Sequence, residues 1–254
     1  MPRQSKKSLA DFTVSVDTLK EDFYALIQSN TELDDLKLIF EIGISDLSLF
    51  PNIMLHSDDT HKTYLEKWIK GYVDATSNPP SKRKASPKSS CSDPAIQTIV
   101  QISQNINSDK ATEMNACHNL FMSAENIQGN LLEEYISRST KKYGWVWCNG
   151  NVLQAIDFCS SDGAVLLQIK NKSNTENSSS STVREGTSIK KWYRLGTQTV
   201  DGQKQPVYKW DALNSIINSH VTTGIDADCN MNEDSYQKFL HNIVAQNPDI
   251  ISDK

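Results

Sequence analysis

The chain has 254 residues, 22 % of them charged and 37 % hydrophobic, so it can bury a sizeable core and is neither a disordered tail nor a membrane bundle. A formal net charge of −5 speaks against a uniformly basic nucleic-acid coat. No apolar run reaches bilayer length, and the opening MPRQSKKSLADF lacks the apolar stretch of a signal peptide, which predicts a cytoplasmic chain with no membrane partner.

Taken in chain order, the first elements are helical. Leu19, Phe23, Leu26 and Ile27 share one apolar face, and Tyr64, Leu65, Trp68, Ile69 and Tyr72 repeat the spacing, so residues 1–75 are expected to form a helical N-terminal part. The composition then changes to TSNPPSKRKASPKSSCSDP, a basic Pro/Ser-rich linker or loop over residues 76–94 that cannot bury a core. Helical spacing resumes at Ile96, Ile99, Val100 and Ile102 and runs on through Leu131, Leu132, Tyr135 and Ile136.

Next the period changes. Tyr143 to Cys148, Val152 to Cys159 and Ala164 to Lys170 are short runs rich in β-branched and aromatic residues, separated by Asn-Gly and Asp-Gly turns. They predict an antiparallel three-strand meander. A polar loop, NKSNTENSSSSTVREGTS, follows, then Ile189 to Leu195 and helical segments near Trp210 to Ile217 and Glu233 to Val244. Helix, meander and further mixed elements give an α/β (α+β) core over residues 95–254, a mixed sheet flanked by helices.

The chemistry concentrates in the meander. Asp157 lies on one strand and Gln168 and Lys170 share a face of the next by two-residue alternation, with Asp157 expected nearly opposite Leu166, and with Leu167 and Ile169 turned into the core. A carboxylate and an amide oxygen suit Mg²⁺, a hard ion that also takes a phosphate oxygen and lowers the pKa of an attacking water. The lysine can orient that water or offset charge developing on phosphate. Such a cluster suits phosphodiester hydrolysis. The charge distribution agrees: from Val165 to Arg194 there are six basic residues against two acidic ones, and Lys82, Arg83, Lys84 and Lys88 form a second basic cluster. In this stretch Lys172, Lys190, Lys191 and Arg194 suit phosphates, Arg184 suits guanine, and Asn174, Asn177, Ser178, Ser179 and Ser180 offer hydrogen bonds to phosphates or base edges. DNA is the expected partner.

This hairpin resembles that of the PD-(D/E)XK nucleases, in which an aspartate on one strand is followed on the next by an acid, any residue and a lysine. Two positions depart from that pattern: Ile156 stands where the proline would be, and Gln168 stands for the acid. A neutral ligand weakens metal binding and makes a further carboxylate more important. The resemblance implies that Glu133, in QGNLLEEYI, supplies it; Glu134 and Glu125 compete, because the buried side defined by Leu131, Leu132, Tyr135 and Ile136 does not choose among them. More specifically, GWVWCNG…AIDFCSSDGAVLLQIKNKSNTENSSSSTVREGTSIKKWYR, from Gly144 to Arg194, resembles the SinI family of restriction endonucleases. That resemblance implies cleavage of duplex DNA at GGWCC by a homodimer, with a cognate methyltransferase protecting the host. The alternatives are a repair or junction-type nuclease of the same fold, or a sequence-specific DNA-binding protein whose Gln168 marks a lost catalytic centre.

Other patterns carry less. The five cysteines have no zinc-ligand spacing, and Cys148 and Cys159 are expected as small core residues. Asp226 to Asn232 begins like a calcium loop, but Met231 stands where the sixth-position glycine belongs, which predicts a turn and helix cap instead.

Overall fold

The structure, a computed structural model, describes residues 4–28, 33–84, 93–172 and 188–251. The chain divides into two compact units, one of residues 1–78 and 136–233, the other of residues 79–135 and 234–254. No helix among the described residues is long and apolar enough to cross a membrane.

The first unit begins with β1 (Gln4–Lys7), then α1 (Val16–Ile27), α2 (Asp34–Ser45), β2 (Ile53–His56) and α3 (His61–Ser77). Helix α1 starts where Ser15 accepts a hydrogen bond from the Thr18 N–H at 3.1 Å, satisfying a donor that has no partner inside the helix. The three helices gather around aromatic rings. Phe23 stacks on Phe40 at a centroid distance of 3.8 Å, and Phe50 meets Trp68 edge-on at 5.3 Å. Rings of this size dominate the energetics of a core. Gly43 of α2 lets the packing close, because a Cβ there would lie 2.8 Å from Phe50 and 2.9 Å from Leu153. The short β1–β2 ribbon has no counterpart in the sequence reading; its strands are four residues each, below what periodicity detects.

Behind this core stands a five-stranded mixed sheet in the order β3-β4-β5-β6-β7: Trp145–Trp147, Phe158–Ser160, Leu166–Lys172, Lys190–Val200 and Gln203–Tyr208. The expected meander is its first half, with β3, β4 and β5 antiparallel. Strand β4 is shorter than the run from Val152 predicts. Val152, Leu153 and Ile156 are buried, yet Asn151 and Ala155 take positive φ of 56° and 63°, so this stretch is a packed loop instead of a ladder. Strand β5 then pairs parallel with β6, and β6 turns back into β7 through Asp201 and Gly202, both at positive φ as a two-residue hairpin turn demands. Helix α6 (Trp210–Asn218) follows, where Trp192 and Trp210 pack at 5.2 Å and Trp192 Nε1 donates to Lys209 O at 2.8 Å.

The second unit contains α4 (Pro94–Gln104), α5 (Ser108–Thr140) up to residue 135, and most of α7 (Glu233–Gln246). Its small core holds Leu131, Ile243 and Ile250, with Tyr135 against Tyr236 at 5.2 Å. The Pro/Ser-rich segment opens as ordered chain. Ser81 donates from its N–H and its hydroxyl to the buried Glu134 carboxylate at 2.8 and 2.6 Å, and Asn247 Nδ2 donates to Ser81 O and Arg83 O at 3.1 and 3.0 Å. Lys84 pairs with Asp249 at 2.7 Å.

Candidate active site

Asp157 stands at the entry to β4, and the core fixes the approach to it. Trp68 Nε1 donates to Val152 O at 2.8 Å, and Gln154 donates from its N–H to Leu49 O at 2.7 Å and from Nε2 to Phe50 O at 2.8 Å. The loop from Val152 to Ile156 is thus tied to α3 and to the Leu49–Phe50 backbone before the aspartate is reached.

The pairing register corrects the expected one. Phe158 pairs with Leu167 and Cys159 with Leu166, so Asp157 is not opposite Leu166. The reason lies in the turn: Ser160 N–H donates to Val165 O at 3.0 Å, so the loop runs over Ser161 to Ala164, one residue later than the Ser160–Gly163 turn that would set Asp157 against Leu166. Asp162 holds that loop, accepting from Ser160 Oγ at 2.5 Å and from Ala164 N–H at 3.0 Å, and these bonds draw its carboxyl below the usual range. Across the paired residues Phe158 and Cys159 the shift is two residues, so the alternation of faces is preserved there. Asp157 N–H also donates to Leu167 O at 2.9 Å, which sets two residues, Asp157 and Phe158, against one, the arrangement of a β-bulge.

From there the Asp157 carboxylate reaches across to β5, where Oδ2 accepts the Ile169 N–H at 2.6 Å. Ile169 lies between Gln168 and Lys170, so aspartate, amide and ammonium gather on one short stretch of strand. Burial pushes the Asp157 carboxyl well above the ordinary carboxylate range; the Ile169 N–H and the charge of Lys170 oppose the shift without cancelling it. Gln168 is only 5 % exposed, and its Oε1 has no hydrogen-bond partner among the described residues. An orphaned buried carbonyl costs roughly 1–3 kcal/mol. Both faces of β5 are covered here: Leu167 and Ile169 are buried, and Leu166 packs on the first unit's core.

A half-buried carboxylate reluctant to ionise and an unsatisfied amide oxygen are what a hard, oxygen-seeking divalent cation would satisfy. The donor set therefore fits a metal, with two side chains from one hairpin. Among the described residues no three of His, Cys, Asp or Glu group as metal ligands. Glu133 is half-buried on α5 and belongs to the second unit. Its rival Glu134 is committed to Ser81.

Of the residues expected at DNA, Lys172, Lys190 and Lys191 are exposed, whereas Asn174, Asn177, Ser178, Ser179, Ser180 and Arg184 lie outside the described residues. Arg194 differs from expectation. It is 8 % exposed, donates to Glu233 Oε1 at 2.6 Å and to Asn171 Oδ1 at 3.0 Å, and lies over the Tyr208 ring, so its guanidinium is engaged within the chain. The parallel pairing adds a neighbour that the sequence reading missed: Gln168 pairs with Lys191 and Lys170 with Tyr193. No sequence signal fixes that register, because a parallel pair is joined by a crossover and not by a turn. The stretch that resembled a calcium loop is a fastening, in which Met231 exchanges hydrogen bonds with the Asn214 side chain at 2.8 and 2.9 Å.

Residues 57–244 match the family model described as SinI restriction endonuclease, a span that holds every candidate residue named above. The type II restriction enzyme Eco47I of Escherichia coli is 34 % identical over 168 residues, and the type II restriction enzyme SinI of Salmonella infantis 32 % over 168. Each match covers 65 % of this chain and 66 % of the relative, just under two thirds of the relative's own length.

Proposed function

The chain belongs to the SinI restriction endonuclease family, and from that premise we propose that it is a Mg²⁺-dependent type II restriction endonuclease with a PD-(D/E)XK active site, cutting duplex DNA at GGWCC as a cytoplasmic homodimer whose host is protected by a cognate methyltransferase. The observation that carries the site is the buried Oε1 of Gln168, without a partner among the described residues, one position before the Ile169 N–H that binds the Asp157 carboxylate.

Asp157 and Gln168 hold the cation in this reading. When bound, it supplies charge neutralisation at the phosphate and a water acidic enough to act near neutral pH. The protein's own part is positional: the bulge aims the carboxylate, the Ile169 N–H fixes one of its oxygens, and the half-buried Lys170 ammonium orients the attacking water or balances charge on the pentacovalent phosphate. The further carboxylate expected at Glu133 is tested by Glu133→Gln. Exposed Lys172, Lys190 and Lys191 meet phosphates, and the polar segment with Asn174, Asn177, Ser178, Ser179, Ser180 and Arg184 reads bases.

Digestion of plasmid DNA with Mg²⁺, followed by sequencing of the fragment ends, tests the reading. Discrete fragments ending at GGWCC support it, whereas nicking at irregular structures, or binding without cutting, would overturn it. Asp157→Ala and Lys170→Ala should each lower cleavage by at least roughly 10²–10³-fold, the loss typical of removing one charge-stabilising group, while the variants still fold and bind duplex.

A further inference from the structure

Two consecutive helices of the second unit are turned inside out. Helix α4 is well specified locally: Asp93 caps it by accepting the Ala95 N–H at 2.9 Å, Pro94 occupies its first turn, and Asn105 in the left-handed conformation ends it. Yet it buries none of its residues. Ile96, Ile99 and Ile102 are 61 %, 65 % and 77 % exposed, while Gln97 and Gln101 on the polar side are partly covered. The first half of α5 repeats the inversion. Ala111 and Ser123 are buried and Asn115 and Asn119 partly so, whereas Met114, Cys117 and Phe121, spaced along the opposite stripe, are exposed, Phe121 by 73 %. An 11-residue helix is marginal in water by itself, so a capped helix whose isoleucines face outward is built to be covered.

We infer that these two faces form the contact with a second copy of the chain; the inference rests on the homodimer of the reading above and says where it forms. Charge selects the occupant. Helix α4 contains no ionisable residue, so the helix itself offers nothing to a phosphate backbone and has no cationic polar face of the kind a membrane-surface helix carries. In a two-fold contact the same patch meets itself; the α4 face carries no charge, and beside the α5 stripe Lys110 is paired with Glu113 at 2.8 Å, so the patch meets its own copy with little like-charge repulsion. Stoichiometry points the same way: the chain carries one Asp157–Gln168–Lys170 site, and a duplex has two strands to cut. A standard interface needs about 800 Å² per partner with an apolar centre, and the two stripes supply that centre.

Sedimentation of the full-length wild type, Ile99→Glu, Phe121→Glu and the control Val73→Glu, whose site is also exposed, tests this. Wild type and control should run as dimers at micromolar concentration. Each of the other two should raise the dimer dissociation constant at least about 100-fold, since like charges then face one another across the axis, with circular dichroism unchanged. Hydrogen exchange on the wild type gives a second readout without substitution: amides of 94–104 and 108–123 should gain protection as concentration rises. A monomeric wild type, a dimer that survives either substitution, or protection that ignores concentration overturns the proposal. None of these measurements uses cleavage. A chain that dimerises this way and cuts nothing sinks the nuclease reading alone, and one that cuts but dimerises elsewhere sinks this inference alone.

Discussion

A carboxylate drawn into protein with too little positive charge around it holds its proton more tightly than in water, and Asp157 is in that position. Its folded pKa lies above its unfolded one, so the metal-free fold loses stability as pH rises from the unfolded value through the folded one. Asp157→Asn should therefore melt higher than the wild type at neutral pH in chelator, and the gap should close in acid. Magnesium should raise the melting temperature of the wild type and leave that of the variant unchanged; thermal scans with and without metal, from pH 4 to pH 8, check both. Gln168→Glu should do the opposite, lowering the metal-free melting temperature by adding a second buried charge and enlarging the gain on adding Mg²⁺. The pairing of Gln168 with Lys170 was legible in the sequence because two-residue alternation belongs to any strand. The setting of Asp157 was not, because a four-residue loop and a bulge are decided by hydrogen bonds of Ser160 and Asp162 that periodicity does not carry.

Elements differ in how openly they declare themselves. The helices α1, α3, α6 and α7 follow from spacing because each lays an apolar stripe on a core, and the meander follows from its turn residues. Strand β7 escaped notice although Asp201-Gly202 is a hairpin pair, because Gln203 to Tyr208 is exposed and polar and has no alternation to find. Arg194 misled for a related reason: within a basic stretch nothing distinguishes a cation bound for phosphate from one bound for a half-buried glutamate. Glu233 receives both the Arg194 guanidinium and the Trp210 indole N–H, tying β6 to the start of α6. Arg194→Ala should cost roughly 1–3 kcal/mol by removing the cationic partner of that half-buried carboxylate while its bond to Trp210 stays, read as a lower midpoint in urea unfolding. An exposed lysine of the same strand, Lys191→Ala, should leave the midpoint in place.

For the molecule as a whole, the negative total charge and the local basic stretch make opposite demands that ionic strength separates. Duplex affinity, measured by fluorescence anisotropy in metal-free buffer, should fall linearly on a log–log plot against salt, and Lys191→Ala should reduce the slope by about 0.9 if that side chain neutralises one phosphate. A slope that does not change removes Lys191 from the contact. At this scale the sequence reading divides the chain at residues 75 and 94, whereas the chain leaves one compact unit at residue 78 and returns to it at residue 136, since only contacts distant in sequence define such a boundary. One local feature has a practical side. The chain entering the segment 85–92 is moored by Ser81 to Glu134 and by Lys84 to Asp249, and the chain leaving it starts a capped helix at Pro94. Both banks are thus secured independently of what spans them. A reporter peptide spliced between them would cost only about 0.6 kcal/mol for each doubling of the span, which makes this the natural port for a fluorophore or purification handle.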